Sequence, residues 1–379
     1  MNRSRDTLPS IRVHLTNVTG LGAVRLAQSL LPALEASSKF AVSEIYLPNK
    51  GEILHYKAMT PGLVASRYYR VLPNSISRVL ECTFFASRFN GNTPILVLGD
   101  LPLSCKARQT LFLQTIHLTN QDTSHSFSNL IKFFISKLLF KLNIGHIENI
   151  IVQSEEMKSA VINTYPQLLD KIYIIPQPVP FWLTTVEWPK PRPNKASQRG
   201  LKLFYPAANY PHKNHELLSL ITSKDSEELR IEKLTLTIDN IHNPNSGLAW
   251  IECTGLLHPM EMLEVYRECD GLLFLSKAES YGFPIIEAMW VGLPIICPDL
   301  PYAKSLCGTQ GIYFNPSSPE SLKQAICILN QRLDSGWSPD WSHQLQQIPR
   351  DWNQVADAMG ELTLDGFNKS GNLLATINL

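Results

Sequence analysis

Short apolar runs alternate with longer stretches of helical spacing, and the alternation occurs twice along the chain. In the first half, β-branched and apolar residues cluster at positions 11–15, 42–47, 95–98, 111–116, 150–153 and 172–175. Such runs are strand-length and apolar almost throughout. They predict a parallel sheet covered by helices on both faces, because strands buried on both sides have no solvent face to alternate with. Residues 188–200, WPKPRPNKASQRG, break the pattern with three prolines and four basic residues, a composition that reads as an exposed linker. The alternation then restarts at 201–205, 234–239, 250–253, 271–275, 294–297 and 312–314. The expected fold class is α/β, with two doubly wound domains facing each other. Residues 1–185 form the first domain, 186–200 the linker and 201–345 the second. Ligands of such sheets bind beyond the carboxyl ends of the strands, so a cleft between the domains is the expected site.

Composition narrows the function classes. A chain of 379 residues is longer than one ordinary core of roughly 100–200 residues and suits two domains. With 44% hydrophobic residues, 18% charged residues and a formal net charge of +1, it is globular and carries no overall field for nucleic acid. Any anion must be held by a local site. The seven cysteines are an odd number and include no C-x-x-C pair, which reads as reduced thiols in the cytoplasm rather than a disulfide scaffold or zinc site. The first ten residues, MNRSRDTLPS, are polar and lack the apolar core of a signal peptide. No run of about 18 apolar residues could span a bilayer. A cytoplasmic location is expected, with peripheral contact at the inner face of a membrane left open. Residues 132–141, KFFISKLLFK, set basic residues among aromatics as an interfacial helix does. At about 100° per residue, however, Lys132 and Lys141 fall on opposite sides, which favours a core helix with snorkelling lysines.

The most informative stretch is residues 273–299, LFLSKAESYGFPIIEAMWVGLPIICPD. A buried strand ends in a polar turn containing Gly282, and Pro284 opens a helix, where its missing N–H is no loss. The backbone N–H groups of Ser280, Tyr281, Gly282 and Phe283, together with the helix dipole, can then hold a phosphate or a sugar hydroxyl. Glu279 lies in the turn and Glu287 one turn into the helix. Each can accept hydrogen bonds from a vicinal diol such as that of a ribose or hexose. Read alone, such an acidic pair is most often two surface charges at a turn. A second constellation opens the C-terminal half, where Phe204-Tyr205-Pro206-Ala207 leads into Pro211-His212-Lys213-Asn214-His215-Glu216. This order places Lys213 at a helix entrance, where an ammonium can neutralise a diphosphate leaving group.

The motif S-x-x-E-S-Y-G-F-P-x-x-E-A-M is continued by Gly292-Leu293-Pro294, Asp299-Leu300-Pro301-Tyr302-Ala303 and Tyr313-Phe314-Asn315-Pro316. Together these resemble the donor-site signature of the group 1 family of retaining glycosyltransferases, whose GT-B fold is two facing Rossmann-like domains. The resemblance is strongest over residues 201–330. It implies that Lys213 binds the nucleotide diphosphate, that Glu279 contacts the transferred sugar and that Glu287 contacts the ribose. It also implies that His117, at the end of LQTIH, lines the sugar pocket, although a lone histidine is more often structural. In the segment LTNVTGLG, Gly20 and Gly22 let a loop approach the donor phosphates or the acceptor, although tight turns often need glycine regardless of ligand. Trp352, Val355 and Met359 resemble the helix, about 352–370, that crosses back to the first domain. Many family members carry an arginine five residues before the lysine. Here that position is Ala208, so phosphate binding leans more on Lys213 and on backbone N–H groups.

The implied function is transfer of a hexose or deoxyhexose from a nucleoside diphosphate sugar to a glycan or lipid-linked glycan. The transfer is expected to proceed with retention and without metal or other cofactor, since no D-x-D is placed to hold a divalent ion on the diphosphate. The alternatives are a phosphorylase or sugar-nucleotide epimerase on similar domains, or a catalytically inactive sugar-nucleotide-binding or regulatory protein. Ala208 is the best support for the last.

Overall fold

A computed structural model describes residues 8–18, 20–61, 63–67, 74–119, 127–189 and 200–365. Most of the expected linker, at 190–199, and the end of the expected C-terminal helix, at 366–370, lie outside the described residues. The chain divides into two compact units, one of residues up to Pro178 together with those from Ile348, the other Val179–Gln347.

The first unit is built on a seven-stranded sheet. Its strands are β1 (Ser10–His14), β2 (Ala41–Leu47), β3 (Val64–Arg67), β4 (Ile95–Val97), β5 (Gln109–Phe112), β6 (Ile147–Val152) and β7 (Ile172–Ile174), in the order β3-β2-β1-β4-β5-β6-β7. Every pairing is parallel. The order reverses between β1 and β4. Strands β4 and β5 are buried at every position; β4 reads as a continuous apolar run, whereas β5 also buries the polar Gln109 and Thr110. Strand β3 has no counterpart among the expected strands. It is an edge strand of only four residues, VASR, whose Val64 is half exposed. The run expected at 111–116 leaves the sheet after Phe112, because the Asp100 carboxylate accepts hydrogen bonds from the amides of Gln114 (2.6 Å) and Thr115 (3.2 Å) and turns the chain. A 3₁₀ turn, Ile116–Leu118, follows.

Helix α1 (Leu21–Ala36) follows β1, α2 (Asn74–Cys82) carries Glu81, and α3 is Phe127–Asn143. The expectation for residues 132–141 is corrected here. Leu139 and Phe140 face the core, but Phe134, Ile135, Leu138 and Leu142 point outward, 69, 36, 47 and 64% exposed. Lys141 is exposed, whereas the side chain of Lys132 lies outside the described residues. The C-terminal helix Trp352–Asp365 packs on α1 and on β1, β4, β5 and β6 through buried Trp352, Val355, Met359 and Leu362. Its Gly360 lies so close to the Phe40 ring that an added Cβ would sit 2.0 Å from a ring carbon.

The second unit has six parallel strands: β8 (Leu201–Tyr205), β9 (Ile231–Leu236), β10 (Ile251–Cys253), β11 (Gly271–Leu273), β12 (Ile295–Pro298) and β13 (Ile312–Phe314). Their order is β10-β9-β8-β11-β12-β13, reversing between β8 and β11. Helices α4 (Pro259–Glu268), α5 (Phe283–Trp290) and α6 (Pro301–Cys307) follow β10, β11 and β12. Residues 179–185, expected with the first domain, belong here. Leu183 is fully buried, its carbonyl accepts from the indoles of Trp188 (3.1 Å) and Trp290 (3.3 Å), and Trp182 stacks on Tyr266.

Candidate functional site

Two loops of the second unit leave the carboxyl ends of neighbouring strands β8 and β11 and are tied together. The amide of Lys277 donates to the carbonyl of His212 (2.7 Å), and the Ser276 hydroxyl lies between the carbonyls of Ala278 (3.0 Å) and His212 (3.3 Å). The Tyr205 hydroxyl donates to the Lys213 carbonyl (2.8 Å), and the Tyr302 hydroxyl, from α6, donates to the Ser276 carbonyl. Asn214 adopts a left-handed conformation (φ 58°, ψ 30°), and its side chain donates to the Pro316 carbonyl (2.9 Å). Asparagine tolerates this region better than most residues, and here it ends one 3₁₀ turn and begins the next. Lys213 therefore sits at a junction of two 3₁₀ turns, Pro211–Lys213 and His215–Leu220, rather than at the entrance of an α-helix as its sequence context suggests.

From this braced backbone Lys213 Nζ reaches Glu279 Oε1 at 2.5 Å, with the side chains 16 and 12% exposed. Lys213 Nζ also lies 6.0 Å from the Phe274 ring centroid. Gly282 (φ 90°, ψ 50°) caps α5, which begins at Phe283, and Pro284 occupies its first turn. A Cβ at Gly282 would be strained by φ alone and would also approach Leu306 Cδ1 at 3.2 Å. Of the segment Ser280–Phe283 only Phe283 belongs to the first turn of α5, whose opening amides lack an acceptor within the helix; Pro284 has no N–H, and the amides of Ile285 (2.9 Å) and Ile286 (3.4 Å) donate to the Gly282 carbonyl. Ser280 is half-buried. Tyr281 is buried, and its ring packs edge-on against Phe283 at 5.3 Å.

Electrostatics follow from this packing. Burial, reinforced by the Glu279 charge, pushes the phenols of Tyr205 and Tyr302 well above the usual tyrosine range, so both remain hydroxyl donors. His215 is 5% exposed, its ring lies 5.0 Å from that of Tyr205, and neither ring nitrogen has a hydrogen-bond partner among the described residues. Burial, aided by the Lys213 charge, lowers its pKa to about 4. Glu287, 9% exposed, accepts a hydrogen bond from the Tyr266 hydroxyl of α4 (2.7 Å). The sequence pattern alone points neither to Tyr266 as the partner of Glu287 nor to Tyr205 and Tyr302 as braces. A tyrosine in a strand or helix core carries no distinguishing spacing.

Three of the expected residues belong to the first unit. Gly20 caps α1 in an extended conformation (φ −74°, ψ 140°), and Gly22 lies in the first turn. Neither has a left-handed φ, and a Cβ added at either meets nothing within 4 Å among the described residues. His117 lies in the 3₁₀ turn beyond β5, not at the end of the strand, because the Asp100 carboxylate ends the strand early. Its ring stacks on Phe133 at 4.4 Å and its amide donates to the Thr115 hydroxyl (3.4 Å).

Residues 198–332 match the family Glycosyl transferases group 1. Over 87 residues the chain is 30% identical to the serotype-specific mannosyltransferase WbdA of Escherichia coli, spanning 22% of this chain and about a tenth of that protein's length. It is 24% identical over 257 residues to the O-antigen chain mannosyltransferase RfbU of Salmonella typhimurium, covering 64% of this chain and 68% of RfbU. Among solved structures, sucrose-phosphate synthase from Thermosynechococcus elongatus superposes with a TM-score of 0.64 at 15% identity, over 93% of this chain and 98% of that one. Two α/β units, each on a parallel sheet, and this whole-chain likeness are the GT-B fold, and within it residues 198–332 are similar to the group 1 glycosyl transferases.

Proposed function

We propose that the chain is a glycosyltransferase that moves a hexose or deoxyhexose from a nucleoside diphosphate sugar to a glycan or lipid-linked glycan, with retention and without a metal ion. The observation that carries this reading is the Lys213–Glu279 pair, held on two tied loops beside the capped start of α5. Lys213 is the countercharge for the diphosphate, and the Ser280–Phe283 amides add donors that need no reorganisation. Glu279 contacts the transferred sugar and Glu287 the ribose. His117 is assigned to the sugar pocket, and Gly20 and Gly22 to the phosphates or the acceptor. Support from relatives is of the same kind, since WbdA and RfbU are named as mannosyltransferases.

The test is a thermal-shift screen with UDP, GDP, ADP and TDP and their sugars, on wild type and on Lys213→Ala. It is followed by a transfer assay with and without EDTA, and by NMR of the product's anomeric centre. A ligand at ~100 times its Kd stabilises by about 2.7 kcal/mol, which is readily seen. A shift with one base that Lys213→Ala loses, and EDTA-resistant transfer with retention, are expected. A folded protein indifferent to every nucleotide would refute the reading.

A further inference from the structure

A glutamate carboxylate turns easily about its last torsion, which is broad and only two-fold, so a side chain that must meet two hydroxyls at once needs something to hold its plane. For Glu287 that hold comes from Tyr266 of α4, whose hydroxyl donates to Glu287 Oε2 at 2.7 Å. A phenol is a stiff donor, with only two side-chain torsions to fix. Here the Tyr266 ring is fully buried, with Phe204 of β8 edge-on at 5.1 Å and Trp182 stacked on it at 6.3 Å.

Trp182 is in turn tied to the helix that carries Glu287. Its neighbour Leu183 is fully buried, and the Leu183 carbonyl accepts from the indole of Trp290, the last residue of α5, at 3.3 Å. The contacts thus leave α5 at Glu287, pass through Tyr266 and Trp182, and return to α5 at Trp290. Tyr205 and Tyr302, the buried phenols on the neighbouring loops, donate to the backbone carbonyls of Lys213 and Ser276 and hold main chain. Tyr266 holds a carboxylate instead.

With Glu287 as the ribose contact, an assignment on which this step depends, we propose that Tyr266 is a positioning residue that sets the plane of the Glu287 carboxylate. The pair then makes the donor site selective for nucleoside diphosphates with an intact ribose over their 2′-deoxy counterparts. The bond from Tyr266 takes one of about four acceptor positions on the carboxylate, so neither oxygen is exhausted by it. Two oxygens held in one plane can accept from the 2′- and 3′-hydroxyls together, because a vicinal diol presents them side by side. A 2′-deoxyribose offers only one hydroxyl, and at 9% exposure water is a poor replacement for the other. Donors built on uridine, guanosine or adenosine diphosphate meet this requirement; donors built on thymidine diphosphate, a 2′-deoxy nucleotide, do not.

The test is titration calorimetry on the full chain with UDP, GDP and ADP, each beside its 2′-deoxy form. For the base that binds, wild type is expected to hold the ribo form about 10- to 100-fold more tightly, as one hydrogen bond to a charged acceptor implies. Tyr266→Phe is expected to weaken the ribo form about 5- to 20-fold and the 2′-deoxy form at most about twofold, so the preference falls. Glu287→Gln should lose the preference, and Tyr266→Phe added to it should change the ratio no further, since both act through one contact. A tyrosine that merely fills the core would, on truncation, weaken both forms alike. That result, with the preference kept by Tyr266→Phe and lost by Glu287→Gln, would overturn the inference and leave the ribose assignment standing. A wild type with no preference, or a Glu287→Gln variant that keeps it, would remove Glu287 from the ribose and the inference with it; binding of no nucleotide would refute the proposed function as well. Should melting curves show that Tyr266→Phe does not fold, Trp182→Leu, at a half-buried position, carries the same test. Loosening the ring should then lower the ribo preference at least about threefold, and an unchanged preference would overturn the inference.

Discussion

Replacing Glu279 by glutamine should tighten the binding of a bare nucleoside diphosphate while abolishing sugar transfer. The ammonium of Lys213 lies 2.5 Å from Glu279 Oε1, so an incoming phosphate must take Lys213 from an existing partner. Once it has, the phosphate still sits about 5 Å from the displaced carboxylate. With the pair only partly screened, an effective dielectric constant of about 40–80 gives about 0.8–1.7 kcal/mol of repulsion per phosphate charge. Removing the carboxylate charge therefore strengthens nucleotide binding about 4- to 16-fold. Lys213→Ala moves affinity the other way: a hydrogen bond to a charged group is worth about 1.5–3 kcal/mol, so binding weakens about 10- to 150-fold. Titration calorimetry with the base identified by thermal shift measures both, and a transfer assay shows whether Glu279→Gln has lost turnover. If Glu279→Gln weakens the nucleotide as Lys213→Ala does, the carboxylate holds the ligand directly or holds Lys213 in place, and the exchange argument fails.

The buried imidazole of His215, with a pKa lowered to about 4 beside Lys213 and Glu216, leaves the unfolded chain binding more protons between about pH 6.5 and 4. Stability should be complete above about pH 6.5 and decline by roughly 2–4 kcal/mol towards pH 4, and melting curves of His215→Gln should show a shallower decline over that window. Gly282→Ala, forced to φ 90°, should cost about 1–2 kcal/mol and lower the melting temperature by roughly 2–8 °C, as well as weakening nucleotide binding. Gly22→Ala should do the opposite for stability, raising it by about 0.5–1 kcal/mol because the helix meets no obstacle there, yet it should impair turnover; unchanged turnover would remove Gly22 from the site. Gly360→Ala gains about 1 kcal/mol of helix propensity but drives a methyl to 2.0 Å from the buried Phe40 ring, so a net loss of about 1–3 kcal/mol is expected by denaturant unfolding, with partial rescue by Phe40→Leu.

Strands β8 and β13 are legible in the sequence to the residue because each is a largely buried run, and β8 keeps its bounds although its pairing with β9 shifts register between Leu201 and Lys202. Strand β5 is not, since its end is set by a carboxylate from another loop, Asp100, which captures the amides of Gln114 and Thr115. The outward face of α3 was illegible for a different reason. An apolar stripe has the same period whether it faces a core or solvent, and which it does depends on what packs against it. At the site, the motifs mark Lys213 and Glu279 individually. That they meet is a consequence of strands β8 and β11 lying side by side, which joins positions 66 residues apart. Glu287 is likewise visible as a carboxylate, but its tyrosine partner on α4 belongs to tertiary packing.

What holds the loops and what meets a ligand are chemically separate. The braces are neutral: hydroxyls of Tyr205, Tyr302 and Ser276 and the amide of Lys277, each donating to a backbone carbonyl. Because burial and the Glu279 charge disfavour ionisation of both phenols, these bonds do not change with pH near neutrality. The side chains of Lys213 and Glu279 retain some solvent access, at 16 and 12%. If the ion pair itself held the loops, every phosphate that captured Lys213 would loosen the backbone presenting it, and binding energy would go into reordering. Under the proposed function, with neutral bonds carrying that task, the exchange of Glu279 for a phosphate on Lys213 would require only side-chain motion.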